Sequence, residues 1–229
     1  FNFQQKTKDS VTAWLGNTIN ELIQLDLNQD KNLTALAIYE DNTVDKVKRS
    51  SIFFDYYIDG TYEVKDSTYY ITSVLRNAKN GKEIKRKEFA GKDFFYLIDQ
   101  TTVFIKENLI LSGESRDRYI DLDINDITTT SMKALELWIK EDYEGAVKED
   151  KTFSLAYYDN AKRRTRFSQG ELEEKYLIDK AFEYKNKLPS QLQYEILIYK
   201  NIAYERWKDA EELIKYQLEI SPNNEMFNE

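Results

Sequence analysis

The pattern that most restricts how this chain can fold lies between Asp55 and Gly91, where residue character repeats at every second position. Tyr57, Asp59, Thr61 and Glu63 alternate with Tyr56, Ile58, Gly60, Tyr62 and Val64, as in a strand whose two faces meet different surroundings. Lys65-Asp66-Ser67 supplies a turn and Tyr69 to Arg76 returns. The next connection contains Asn80-Gly81, residues that tolerate the positive φ of a type I′ turn, and Glu83 to Ala90 completes a three-stranded meander. Such a sheet needs a covering layer. The flanking sequence has helical periodicity, so the predicted fold class is α+β, a mixed β-sheet with packed helices.

Before the meander, Asp9-Ser10 offers an N-cap, and Val11, Trp14, Leu15, Ile19, Leu22 and Ile23 follow at helical spacing, predicting a helix over 10–28. Leu33 to Tyr39 is a short apolar run that reads as a buried strand, and 43–53 reads as a short amphipathic helix. After the meander, Asp93 caps a helix outlined by Phe94, Leu97, Ile98, Thr101, Ile105 and Leu109, ending near Ser112-Gly113. These elements form a first domain over 1–112. Residues 113–130 are polar, carry mixed charge and read as a linker. Over 131–229 the periodicity is helical throughout, with anchors such as Leu135 and Trp138, Phe153 and Ala161, Leu177 and Tyr184, Leu192 and Tyr199, and Ala210 and Leu218. Five helices with short connections predict an all-α array of antiparallel hairpins.

Two resemblances follow from particular residues. Trp207, Ala210 and Pro222 stand as in the second helix of a tetratricopeptide repeat; backward steps reach Pro189 and then Lys151, at spacings of 33 and 38, so two or so degenerate repeats are expected. The stretch from Asp55 to Tyr62, then Leu75-Arg76-Asn77, Asn80-Gly81-Lys82, Phe89-Ala90-Gly91 and Asp93-Phe94-Phe95-Tyr96-Leu97, with Trp14-Leu15-Gly16 upstream, resembles the TolB amino-terminal-like domain over 1–112. That resemblance implies a sensory or protein-interaction module of a larger bacterial membrane-anchored signalling protein or transcription regulator. It also implies a periplasmic or otherwise extracytoplasmic setting, with the membrane reached only through an anchor outside this sequence. The family offers no catalytic residue to carry over. It opens with an apolar strand, for which only Phe1-Asn2-Phe3 stand here; with that strand missing the sheet keeps an unpaired edge, and further upstream residues are expected. The start at Phe1 rather than methionine supports the same expectation.

The absence of both histidine and cysteine removes imidazole and thiolate metal ligands, cysteine nucleophiles, Ser-His-Asp triads and the usual base near neutral pH. The expectation is therefore a non-enzyme without cofactor or metal. A net charge of −8 argues against nucleic acid as a partner, since phosphate binding needs a cationic surface. The expected partner is a peptide or protein, including domains of the same parent protein, and a homodimer is open. A periplasmic small-molecule receptor or an envelope-assembly factor is the alternative.

Asp26, Asn28 and Asp30, like Asp121, Asp123 and Asn125, share the first spacings of a calcium loop, but Lys31 and Asp126 stand where its glycine belongs, and Ala37 and Met132 where its glutamate belongs. Gly81-Lys82 lacks the first glycine of a phosphate loop. Lys162-Arg163-Arg164-Thr165-Arg166 is the concentrated basic run, able to grip a carboxylate or phosphate through guanidinium forks. In helical arrays the first helices of successive hairpins line a concave groove. On that ground Tyr158, Arg163, Arg166 and Tyr194 are the candidate interaction residues.

Overall fold

The computed structural model describes residues 2–7, 9–30, 33–37, 54–109, 121–166 and 171–220. The protein is α+β. It divides into two compact units, Phe1–Ile124 and Asn125–Glu229, and the division falls inside the polar stretch 113–130.

The first unit holds a four-stranded sheet in the spatial order β1 (Asn2–Gln5), β2 (Tyr56–Lys65), β3 (Thr68–Asn77), β4 (Glu83–Gly91). β1 runs parallel to β2, with Phe3 opposite Gly60, while β2–β3 and β3–β4 are antiparallel, so the sheet is mixed. The opening strand, for which the sequence offered only Phe1-Asn2-Phe3, is formed by residues 2–5. Gly60 makes this pairing possible: a Cβ there would stand 2.1 Å from the Thr72 carbonyl oxygen and 2.5 Å from the Phe3 ring.

The β2–β3 turn falls within the expected Lys65-Asp66-Ser67 but takes only two residues, with Lys65 opposite Thr68 and both Asp66 and Ser67 at positive φ, the type I′ geometry that matches strand twist. The β3–β4 connection differs from the type I′ expectation. It spans 78–82, only Gly81 has positive φ, and the Asn77 side chain accepts from the Lys79 and Asn80 amides, building a wider loop.

Helix α1 (Leu15–Leu27) starts later than the predicted 10–28. Asp9 organises residues 10–14 as turns, accepting from the Val11 amide and the Thr12 hydroxyl at 2.9 Å each, and Val11 is 76% exposed. Helix α2 (Phe94–Asn108) is capped by Asp93, which accepts from the Tyr96 amide at 3.1 Å. Leu15, Ile19, Leu22 and Ile23 of α1 and Leu97, Ile98 and Ile105 of α2 are buried, as are Ile58, Tyr62, Ile71, Leu75 and Phe89 on the sheet. Each such side chain contributes about 1.5–3 kcal/mol. Residues 33–37 form no strand. They hang on the end of α1 through side-chain amides: Asn28 exchanges hydrogen bonds of 2.7 and 3.0 Å with the Ala35 backbone, and Gln24 accepts from Ala37. The predicted helix over 43–53 lies outside the described residues, as does Pro222.

A short helix, α3 (Ile124–Ile127), stands at the division. The second unit continues with α4 (Met132–Ile139), α5 (Tyr143–Glu149), α6 (Ser154–Arg166), α7 (Glu171–Tyr184), a 3-10 turn over Lys185–Lys187, α8 (Ser190–Ala203) and α9 (Trp207–Ile220). Each helix from α4 on packs against its successor. That is six helices beyond residue 131 among the described residues, where periodicity predicted five. The additional one, α5, has seven residues and buries only Ala146 fully, too little for a helical stripe to register.

Helices α4 and α8 end in the same turn. Glu141 and Glu205 take positive φ, and two backbone hydrogen bonds close each turn: Glu141 N to Trp138 O and Asp142 N to Leu137 O, then Glu205 N to Ile202 O and Arg206 N to Asn201 O, all 2.8–2.9 Å. This is the Schellman arrangement, built on glutamate where glycine is usual.

Candidate functional site

In the first unit, charge collects where the end of α1 meets α2. Asp26 is 2% exposed; its carboxylate accepts from the Thr102 hydroxyl, from Lys106 Nζ at 3.0 Å and from Gln29 Nε2 at 3.1 Å. Lys106 also reaches Asp121 at 2.9 Å, Gln29 exchanges two hydrogen bonds of 2.9 Å with the Leu122 backbone, and Asp99 accepts from the Ile124 amide at 2.9 Å. Residues 121–124 are thereby fastened to α1 and α2. Burial raises Asp26 against the pull of Lys106. Burial raises Asp99 to about 7; the Ile124 hydrogen bond opposes this, and Asp26, Asp123 and Asp121 add to it. Asp26, enclosed and held by three donors, is closed to any substrate. Asp26 and Asn28 of the calcium-like run thus serve the fold.

In the second unit, Tyr158, expected on an open groove, lies inside. It is 5% exposed, its ring meets the Tyr199 ring edge-on at 5.7 Å, and Lys162 Nζ stands 4.4 Å from its centroid. Burial pushes its phenol up, reinforced by Glu195 and Asp159. Glu195, 6% exposed, is raised to about 7 by burial, with Lys162 opposing and Asp159 reinforcing. Trp138 Nε1 donates to Asp159 at 2.8 Å and Lys162 pairs with Asp159 at 3.2 Å. This polar layer links α4, α6 and α8, so the first helices of successive hairpins close on one another and leave no open face at Tyr158.

Arg163 is exposed; its guanidinium donates to the Glu141 carbonyl oxygen at 2.7 Å and lies 5.9 Å from the Tyr143 ring, tying α6 to the α4–α5 turn. The Arg166 side chain lies outside the described residues. Tyr194 is half-buried against Tyr216, with ring centroids 5.6 Å apart. No hydrogen bond, ion pair or ring contact joins any two of Tyr158, Arg163 and Tyr194 among the described residues.

A different surface of this unit gathers cations on aromatic rings. Asp179 of α7 pairs with Lys200 of α8 at 2.8 Å and accepts from the Tyr204 hydroxyl at 2.7 Å. Lys175 Nζ is 5.4 Å and Arg206 Cζ 5.5 Å from the Tyr204 centroid, while Lys200 and Lys185 each stand 4.2 Å from the Phe182 centroid. Burial pushes the Asp179 carboxyl up, but the bonds from Lys200 and Tyr204 outweigh it and leave it lowered; the bond to Asp179 raises the Tyr204 phenol. Arg206 is exposed and makes no ion pair among the described residues. Exposed Leu172 and Tyr176 lie one turn apart on α7, and exposed Trp207 follows Arg206. Aromatic rings beside Arg and Lys suit a carboxylate or other anionic group on a partner. The residues come from α7, the 3-10 turn, α8 and the α8–α9 turn, so no local motif marks them; the signal available in sequence was the interleaving of Lys175, Phe182, Lys185, Lys200, Tyr204 and Arg206.

Compared with protein-family models, with curated proteins and with solved structures, the chain matches none.

Proposed function

We propose that this chain is a non-catalytic protein-interaction module whose helical unit receives a carboxylate-bearing segment of a partner protein on the surface formed by Phe182, Lys185, Lys200, Tyr204 and Arg206. The observation that carries this reading is the crowding of Lys175, Lys200 and Arg206 around one half-buried tyrosine ring in a chain of net charge −8. Such a cluster works against the overall charge, and Tyr204 and Arg206, with Trp207 next in sequence, are of the residue types that dominate binding hot spots. The resemblance to TolB amino-terminal-like and tetratricopeptide proteins supports placing the module in a membrane-anchored bacterial signalling protein, on its extracytoplasmic side.

The test is a titration of the intact chain with a short aspartate-rich peptide, followed at the indole resonance of Trp207. Saturable shifts at Trp207, lost in the Lys185→Glu/Arg206→Glu double variant, support the reading. An unperturbed Trp207 together with unchanged peptide affinity in that variant overturns it.

A further inference from the structure

β4 is the last strand of the sheet, and β3 is its only strand neighbour among the described residues. The backbone N–H and C=O groups along its outer side therefore have no strand partner there, and an edge of this kind accepts an added strand unless something prevents it. Glu83 through Glu88 are all exposed. The edge is also basic: Lys82, Lys85, Arg86, Lys87 and Lys92 stand against Glu83 and Glu88 alone, in a chain of net charge −8.

The internal contacts do not neutralise it. Glu83 is taken by Arg86 at 2.8 Å, with Arg76 at 3.8 Å, and Lys87 leans over the Phe89 ring at 5.0 Å. Lys82, Lys85 and Lys92 make no ion pair among the described residues. Strand alternation puts Lys85 and Lys87 on the side of Phe89, which faces α2, and Arg86 and Glu88 on the other, while Ile84 falls at a register shift where Lys85 pairs with Leu75 and Glu83 with Arg76.

Lysines on an edge also discourage association between copies of a chain. The charges here do that while leaving another occupant favoured. Where two β4 edges pair antiparallel with Arg86 opposite Arg86, Lys85 comes opposite Lys87, and like charges directly opposed are destabilising; where Lys87 opposes Lys87, Arg86 instead meets Glu88 and the pairing is mixed. A second copy thus meets repulsion in one register and mixed charge in the other, while an acidic strand meets attraction at Lys85 and Lys87 in both.

We propose that the outer edge of β4 docks an extended acidic segment of another protein, added as a fifth strand, with a carboxylate at every second position opposite Lys85 and Lys87. Ile84, 40% exposed at the register shift, adds apolar surface at the start of this edge. This site lies in the first unit and is separate from the helical surface proposed above.

The test measures fluorescence anisotropy of the intact chain with a labelled Glu-Val-Glu-Val-Glu-Val-Glu peptide, and with the same peptide methylated at every backbone nitrogen. Saturable binding is expected, weakened by about tenfold or more in Lys85→Glu/Lys87→Glu, because each reversal turns an attractive cross-strand pair repulsive. The methylated peptide, with equal charge and no donors, is expected to lose affinity similarly. Lys85→Gln/Lys87→Gln gives an intermediate loss and serves if the reversed variant fails to fold by circular dichroism. No saturable binding, equal binding of the methylated peptide, or a dimer by sedimentation that the charge reversal abolishes would each overturn the proposal. Affinity lost in Lys185→Glu/Arg206→Glu and retained in Lys85→Glu/Lys87→Glu overturns it too, while leaving the helical surface standing.

Discussion

At Gly60, three strands meet around a position with no room for one more carbon. The Phe3 ring of β1 lies against the β2 backbone, and the Thr72 carbonyl of β3 approaches from the other side. Both obstacles to a Cβ are close, and one is backbone, which cannot swing away as a side-chain tip does. Gly60→Ala is therefore expected to cost about 3 kcal/mol or more, at the upper end of overpacking changes, by displacing β1. Urea unfolding that shows a loss below about 1 kcal/mol would mean that β1 does not rest on β2 in this way. The alternation around Gly60 was legible in the sequence because it is local. Its reason was not, since Phe3 lies far upstream and parallel pairing leaves no turn to announce it. The same holds for Tyr204 and Asp179, which meet through α7–α8 packing that no spacing rule reports.

Among the elements, the turns divide what was readable from what was not. Asp66-Ser67 was recognisable as turn-forming, and Asp93 as a cap, because both act through side chains or φ preferences within four residues. The segment 33–37 misled, because its apolar run satisfies a strand pattern while Asn28 and Gln24 give its backbone hydrogen bonds that a ladder would otherwise supply. The α4–α5 turn was missed for a related reason: its positive-φ position holds Glu141, not the glycine that signals a helix end. Glu205 repeats the substitution after α8. An L-residue in the left-handed region costs roughly 1–2 kcal/mol, and glycine returns part of that as greater freedom of the unfolded chain. Glu205→Gly should therefore raise stability by about 0.5–1 kcal/mol, whereas Glu205→Ala should not. Matched urea midpoints for the two variants would show that the turn does not impose positive φ at this position.

For the whole molecule, the acid–base response is set by carboxyls that look like ordinary helix-surface charges in sequence. Glu195 and Asp99 are both raised to about 7 by burial, from ordinary values of 4.5 and 3.8. A native state that holds these protons more tightly than the unfolded chain is favoured at lower pH, so their contribution to stability declines as pH rises through the interval from about 4 to 7. For deeply buried Glu195, the shift corresponds to something on the order of 3 kcal/mol at pH 8. Asp150 and Asp179 act oppositely: burial pushes them up, but hydrogen bonds from Thr129 and Thr152, and from Lys200 and Tyr204, leave them lowered. Their support is present above the unfolded carboxyl range and is lost as pH falls through their native values. Stability should thus peak at about pH 4 to 5 and decline on both sides, while solubility is lowest near the isoelectric point of 4.9. Glu195→Gln keeps the shape and hydrogen-bonding reach of the protonated acid without the charge. It should match the wild type in urea at about pH 4 and exceed it at pH 8, flattening the alkaline limb. An unchanged alkaline limb in that variant would mean that Glu195 is ionised at little cost, with Lys162 compensating its burial.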